Sequence, residues 1–119
     1  MAKYADVYLL PISKENAAEY RKLARSAGRI FRKHGALTYR EYPASDLEVK
    51  EITPFPNVVK LNSEETLIYA VVEFKSESHR NRVMKSIFDD PEMSKMLPKK
   101  PLFDTKRIVY GGFSLLVEV

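Results

Sequence analysis

Hydrophobic and polar residues alternate in several short segments, and this alternation predicts β-strands. The first predicted strand runs from Tyr4 to Leu10 and is expected to end at Pro11. A second segment, Thr66 to Phe74, is rich in β-branched and aromatic residues, which is typical of a central strand. Other strands are predicted at 36–42, at 107–117 and, as a short strand within a proline-interrupted stretch, at 57–61.

Apolar residues recur at helical spacing between these strands. The first predicted helix has Ser13 as its N-cap and ends before Gly35, and the second has Ser76 as its N-cap. Asp90 and Pro91 have the residue types of the cap and first position of a short third helix. The apolar stripe of the second helix is expected to contain Val83, Met84, Ile87 and Phe88.

The resulting order, βαββαβ, predicts an α+β, ferredoxin-like fold with one antiparallel sheet and helices on one face. A chain of 119 residues is long enough for one core and too short for two, so residues 1–119 are expected to form a single domain.

The amino-acid composition limits the kinds of site and partner that the protein can have. The chain has no cysteine and only two histidines, far apart in sequence, so we expect neither a metal site nor a cofactor. The net charge of +4 is too modest to require a polyanionic partner. We expect no membrane insertion, because no apolar run approaches the ~20 residues of a membrane helix, and we expect a cytoplasmic location.

Helices can cover only one face of such a sheet, so the residues on the other face are candidates for function. We expect the helices to cover Ala5, Val7, Leu9, Ile68, Ala70, Val72 and Phe74. We expect the open face to contain Asp6, Tyr8, Leu10, Leu67, Tyr69, Val71 and Glu73, with Arg40 or Glu41 and with Tyr110 or Gly111, depending on register. This mixture of apolar and aromatic residues favours a homodimer formed through the open face.

Two interpretations of this face remain open. In one, an Arg40–Glu73 salt bridge, a hydrogen-bonded Asp6 and exposed tyrosines belong to an ordinary dimer interface. In the other, Asp6 or Glu73 acts as a general base with a raised pKa, and Tyr69 donates a hydrogen bond to a developing oxyanion. The candidate binding residues around them are Tyr8, Arg40, Glu41, Tyr110 and Gly111.

An RNA-binding protein is a remote alternative. Tyr69 to Phe74 is close to the third-strand pattern of the RNA-recognition motif, but the preceding basic residue and glycine are replaced by Leu67 and Ile68, and Val71 replaces the middle aromatic residue. We therefore expect no specific nucleic-acid binding. Gly111 and Gly112 are expected to mark a bulge or a close backbone approach in the last strand.

The run FDTKRIVYGGF, from Phe103 to Phe113, resembles the FDGKRMIYGGF signature of the YbaA-like family of unknown function. Other matching positions are Tyr4, Asp6, Tyr20, Glu41, Glu73 and Asp90-Pro91. The resemblance implies a dimeric α/β barrel, in a superfamily that includes cofactor-free monooxygenases, isomerases and haem-handling enzymes. Pro43 and Val71 stand where family members often have tryptophan, so the shape of a pocket is expected to differ.

These observations predict a homodimer that binds or transforms a small organic molecule without a cofactor, with a monooxygenase-like or isomerase-like reaction if it is an enzyme. The alternative is a structural or regulatory dimer that binds no ligand. A cavity of ~300 Å³ or more, lined by Asp6, Tyr8, Tyr69 and Glu73, would favour the first hypothesis.

Overall fold

Four antiparallel strands form one sheet in the computed structural model, which describes residues 2–119. The strands are β1 (Tyr4–Ser13), β2 (Thr38–Pro43), β3 (Glu65–Phe74) and β4 (Val109–Ser114). The helices are α1 (Ala17–Lys33), α2 (Glu77–Phe88) and α3 (Pro91–Met96). The strand order is β2-β3-β1-β4, so the predicted α+β, ferredoxin-like architecture is confirmed.

Several predicted boundaries are wrong. Strand β1 continues through Pro11, which lies beyond the last residue paired with β4, so that edge of β1 is free and proline is tolerated there. The prediction of Ser13 as the N-cap of the first helix is wrong, because a 3₁₀ turn at Lys14–Asn16 precedes α1 and Asn16 is the N-cap. Residues 57–61 form no strand, and Phe55–Asn57 is a 3₁₀ turn. Strand β4 is shorter than predicted, because Thr105–Arg107 forms another 3₁₀ turn.

The predicted helix termini are mostly confirmed. The hydroxyl of Ser76 accepts a hydrogen bond from the His79 amide, and Asp90 accepts one from the Glu92 amide. Gly35 follows α1 with φ of +114°, a conformation that favours glycine. Phe88, however, is 82% exposed and lies outside the apolar stripe of α2. Within residues 2–119, every helix is too short or too polar to span a bilayer.

The pairing of β1 with β3 decides which side chains lie under the helices. Asp6 is opposite Val72, and Tyr8 is opposite Ala70. Directly opposed residues share a face, and Val72 and Ala70 are buried in the core, so Asp6 and Tyr8 lie on the helix-covered face. The predicted faces of β3 are right, but those of β1 are wrong, because its polar and aromatic residues point inward.

The core has two neighbouring clusters on the covered face. The first is centred on Phe74 and Val72, and the second on Ile12 and Ile68. Leu10, expected on the open face, belongs to the second cluster, and Leu102, Phe103 and Ile108 pack against it.

The open face of the sheet keeps a large apolar and aromatic surface. Tyr69 is 40% exposed and Phe113 is 59% exposed, and the rings of Tyr42 and Tyr69 lie 5.7 Å apart. Arg40 forms the predicted ion pair with Glu73, at 3.6 Å. An exposed surface with this composition is typical of a protein–protein interface.

Gly28 lies where α1 packs closely against Tyr39 of β2. A Cβ atom at residue 28 would lie 2.7 Å from Cδ1 of Tyr39. Alanine normally stabilises a helix by ~0.5–1 kcal/mol relative to glycine. We predict the opposite sign for Gly28→Ala, with a loss of about 1–3 kcal/mol in the free energy of unfolding, because the ring must move within a packed region.

Urea unfolding checks this prediction, with Ser26→Ala on the same helix as the control. The control should change the unfolding free energy by less than about 0.5 kcal/mol. A Gly28→Ala variant more stable than the natural protein would contradict the close contact with Tyr39.

Candidate functional site: an open groove and a buried aspartate

An open groove lies along α1 where the helix packs over the β2 side of the sheet. Its volume is about 930 Å³, within the range of small-molecule pockets. The apolar part of its lining comes from α1, β1, β2 and β3, and its polar part comes from four arginines, two tyrosines and one glutamate. The lining residues are Ile12, Ala17, Tyr20, Arg21, Ala24, Arg25, Gly28, Arg29, Arg32, Tyr39, Glu41, Pro43 and Ile68.

Glu41 is held by two tyrosines in this groove. Tyr20, from α1, donates a hydrogen bond to Oε1 of Glu41, and Tyr39, on the same strand as Glu41, donates to Oε2. Each carboxylate oxygen therefore has a donor, and the side chain has a fixed orientation. The three residues connect α1 to β2 across the floor of the groove.

Both tyrosines remain protonated donors at neutral pH. Burial, with the neighbouring carboxylate of Glu41, raises the pKa of Tyr39 and the pKa of Tyr20 well above the ordinary value of 10. The tyrosines are therefore unsuited to act as phenolate nucleophiles. They can orient Glu41, and their rings supply apolar surface to the groove.

Asp6 lies in a second polar cluster, which we call the Asp6 cluster, with Tyr4, Arg80 and Tyr110. Tyr110 donates to Oδ1 of Asp6 at 3.0 Å, and Nε of Arg80 lies 3.9 Å from the same oxygen. Arg80 also donates to the hydroxyls of Tyr4, at 2.8 Å, and Tyr110, at 3.1 Å. Oδ2 of Asp6 and Nε of Arg80 have no hydrogen-bond partner within residues 2–119.

Gly112 makes room for the Asp6 cluster. A Cβ atom at residue 112 would lie 2.0 Å from the Tyr4 hydroxyl and 3.3 Å from Oδ1 of Asp6. The pairing of β1 with β4 runs without interruption from Tyr4–Ser114 to Leu9–Val109, so the predicted bulge is absent there. The expected close approach does occur, at Gly112.

Burial governs the protonation of Asp6. The side chain is 1% exposed, and this burial raises the pKa of Asp6 above the ordinary value of 3.8. The Tyr110 hydrogen bond and the Arg80 charge act in the opposite direction and are weaker. A raised pKa was expected for this residue. Asp6 lies outside the lining of the groove, however, as do Tyr8, Tyr69 and Glu73, the other residues expected to line a ligand cavity.

A row of side chains connects the groove with the Asp6 cluster across the covered face. Glu41 pairs with Ala70, Ala70 pairs with Tyr8, and Tyr8 pairs with Tyr110. The rings of Tyr8 and Tyr110 lie 4.8 Å apart. The structure thus resolves two alternatives left open by the sequence, because Glu41 and Tyr110 lie on the covered face while Arg40 and Gly111 lie on the open face.

The predicted catalytic residues do not come together. Tyr69 and Glu73 lie on the open face with Arg40 and Gly111, whereas Asp6 lies on the opposite, covered face. The expectation that Asp6, Tyr69 and Glu73 share one face is therefore wrong. Asp6 and Glu73 cannot act jointly on one substrate within a single chain, because the sheet separates them.

Sequence reasoning named Glu41 as a candidate but missed Tyr39, the arginines of the groove and Arg80. Tyr39 and Glu41 alternate with Arg40, and this pattern places both on one face without showing which face it is. The arginines of the groove recur every three or four residues on α1, which is a readable signal. Arg80 carries no such signal, because only the packing of α2 brings it to Asp6. Within residues 2–119, no group of three or more His, Cys, Asp or Glu side chains could hold a metal ion.

Sequence comparison identifies the family. The family model described as "Protein of unknown function (DUF1428)" matches residues 3–105. The chain belongs to this YbaA-like DUF1428 family, as its YGGF run predicted. One similar protein is uncharacterized protein YbaA of Escherichia coli K12, which is 30% identical over 116 residues and 98% of both chains. YbaA of Shigella flexneri matches to the same extent.

Solved structures with low sequence identity share the fold. A NIPSNAP family protein of unknown function from Agrobacterium tumefaciens has a TM-score of 0.60 at 16% identity, covering 96% of this chain and 88% of its own. A dimeric ferredoxin-like protein from an uncultured marine organism has a TM-score of 0.52 at 14% identity, covering 100% of this chain and 92% of its own. A protein from Arabidopsis thaliana has a TM-score of 0.53 at 9% identity, with 98% coverage of both chains.

The raised pKa of Asp6 makes the stability of the protein depend on pH. Because the folded state binds the Asp6 proton more tightly than the unfolded state, the contribution of Asp6 to stability falls as pH rises from about 3.8 through the folded pKa. We predict that the unfolding free energy of the natural protein, relative to Asp6→Asn, decreases over this range.

Chemical unfolding at a series of pH values measures this difference, and Asp89→Asn at an exposed position is the control. A difference between the natural protein and Asp6→Asn that grows with pH would mean that Arg80 and Tyr110 outweigh the effect of burial.

Proposed function

We propose that this protein binds a small organic molecule in the groove between α1 and the β2 side of the sheet. The observation that carries the proposal is the cavity of about 930 Å³, with an apolar wall and the Glu41–tyrosine pair in its floor. Ligand sites typically combine an apolar wall with a small number of convergent polar groups.

The side chains of the groove have separate roles in this proposal. Ala17, Ala24 and Pro43 supply apolar surface for the body of the ligand. Tyr20 and Tyr39 fix Glu41, whose remaining acceptor capacity can orient a hydroxyl or amine group of the ligand. Because Asp6 lies outside the lining and Glu73 lies on the other face, the proposal assigns the groove a binding role and no chemical step.

We predict that Ala24→Phe abolishes binding of a neutral apolar dye, N-phenyl-1-naphthylamine, because the added ring fills the groove. Dye fluorescence measures the binding, and a thermal melt of the variant shows that it is folded. Ala18→Phe, at an exposed position of the same helix outside the groove, is the control and should bind the dye normally. Equal dye binding by both folded variants would contradict the proposal.

We further propose that two copies associate through their open sheet faces. The exposed apolar residues of that face support a second copy as the occupant, since two such faces bury each other's apolar surface. The dimeric ferredoxin-like protein among the structural neighbours gives independent support. The two α1 grooves then lie on the outer sides of the sheets, away from the interface.

We predict that light scattering gives twice the protomer mass of 13.7 kDa at micromolar concentration. Tyr69→Arg should shift the mass toward the monomer, because it places an unpaired charge within the interface. Phe88→Arg is the matched control, since it changes an exposed aromatic residue on the helical side and should leave the dimer intact. A natural protein of protomer mass would contradict the proposal.

A further inference from the structure

Four arginines line the groove from one side of α1. Arg21, Arg25, Arg29 and Arg32 are separated by four, four and three residues, so they lie along one side of the helix. All four side chains are exposed. We call this set the arginine row. Between residues 17 and 33 the chain has six basic residues and one acidic residue, so much of its positive charge lies on this helix.

The arginine row is largely without counter-charge. Within residues 2–119, no carboxylate lies within 4.0 Å of the guanidinium groups of Arg21, Arg25 or Arg29, whereas the neighbouring Lys33 pairs with Asp90 at 3.3 Å. Arg32 donates to the carbonyl oxygen of Leu37. Like charges four residues apart oppose helix formation, so helix stability does not account for the row.

Glu41, the acidic residue of the groove, does not form an ion pair with the arginine row. Both oxygens of Glu41 accept hydrogen bonds from tyrosines in the floor. The groove therefore has a basic rim above an apolar wall. A rim of guanidinium groups can bind a carboxylate or sulfonate through charge-assisted hydrogen bonds, and the wall can bury an apolar body.

We infer that the ligand of the groove is an organic acid, with an apolar body against the wall and a single anionic group on the arginine row. The inference rests on the proposed binding function and deepens it by giving the chemical class of the ligand. Arg25 and Arg29 occupy the middle of the row and are the residues assigned to the anionic group.

Two dyes with the same ring system test the inference. The dye 8-anilinonaphthalene-1-sulfonate carries a sulfonate group, and N-phenyl-1-naphthylamine lacks that group. We expect the sulfonated dye to bind about tenfold more tightly than the neutral dye. The double variant Arg25→Gln/Arg29→Gln should remove this advantage, so that the variant binds the two dyes with equal affinity. Ala24→Phe should prevent binding of both dyes, which assigns the signal to the groove.

The control variant is Arg82→Gln/Lys85→Gln, which removes two positive charges from exposed positions of α2. It should preserve the preference for the sulfonated dye. Equal affinities of the two dyes for the natural protein, or an equal loss in both double variants, would overturn the inference and leave the binding function standing. Failure of both dyes to bind would overturn the proposed function itself.

Discussion

The antiparallel pairing of β1 with β3 is the constraint on which the rest of the molecule depends. With Tyr4 opposite Phe74, every even-numbered residue of β1 from Tyr4 to Ile12 lies under the helices. Side chains alternate strictly along a strand, so a shift of one residue would exchange the two faces completely. The same pairing places Tyr8 between the groove and the Asp6 cluster, and it leaves Ala5, Val7 and Leu9 on the face proposed for dimerisation.

This register of β1 has an energetic cost, because it buries the carboxylate of Asp6 under the helices. Burial of an unpaired charge is strongly unfavourable, and the surrounding structure offsets part of the cost. Arg80 supplies a positive charge, Tyr110 supplies a donor, and the missing side chain of Gly112 leaves space for the Tyr4 hydroxyl. Elements distant in sequence, α2 and β4, are thereby fixed against the start of β1.

The sequence was sufficient for the fold class but only partly for the site. Strand β3 and the caps at Ser76 and Asp90 depend on local patterns, and their prediction was confirmed. The faces of β1 were not predictable in the same way. Alternation identifies two sets of residues, and hydrophobicity alone assigned the less polar set of Ala5, Val7 and Leu9 to the core. Arg80 comes close to the carboxylate of Asp6 only in the folded protein, so no local sequence pattern predicts this contact.

The site shows the same division. Glu41 was named as a candidate because of its position on a strand, whereas Tyr20 was named only as a position that matches the family. Their hydrogen bond joins segments separated by 21 residues and follows from the packing of α1 on β2. The prediction of the family came from a different source, the YGGF run, which lies beyond the residues matched by the family model.

The open side of the groove has a kinetic consequence. A ligand can reach the wall from solvent without displacement of α1, so association requires only the rearrangement of long, exposed side chains. Each arginine that becomes ordered on binding costs ~0.5–1.5 kcal/mol of conformational free energy. Such a site favours fast entry and fast release of its ligand. With the proposed ligand, the occupancy of the groove would then follow changes in the ligand's concentration closely.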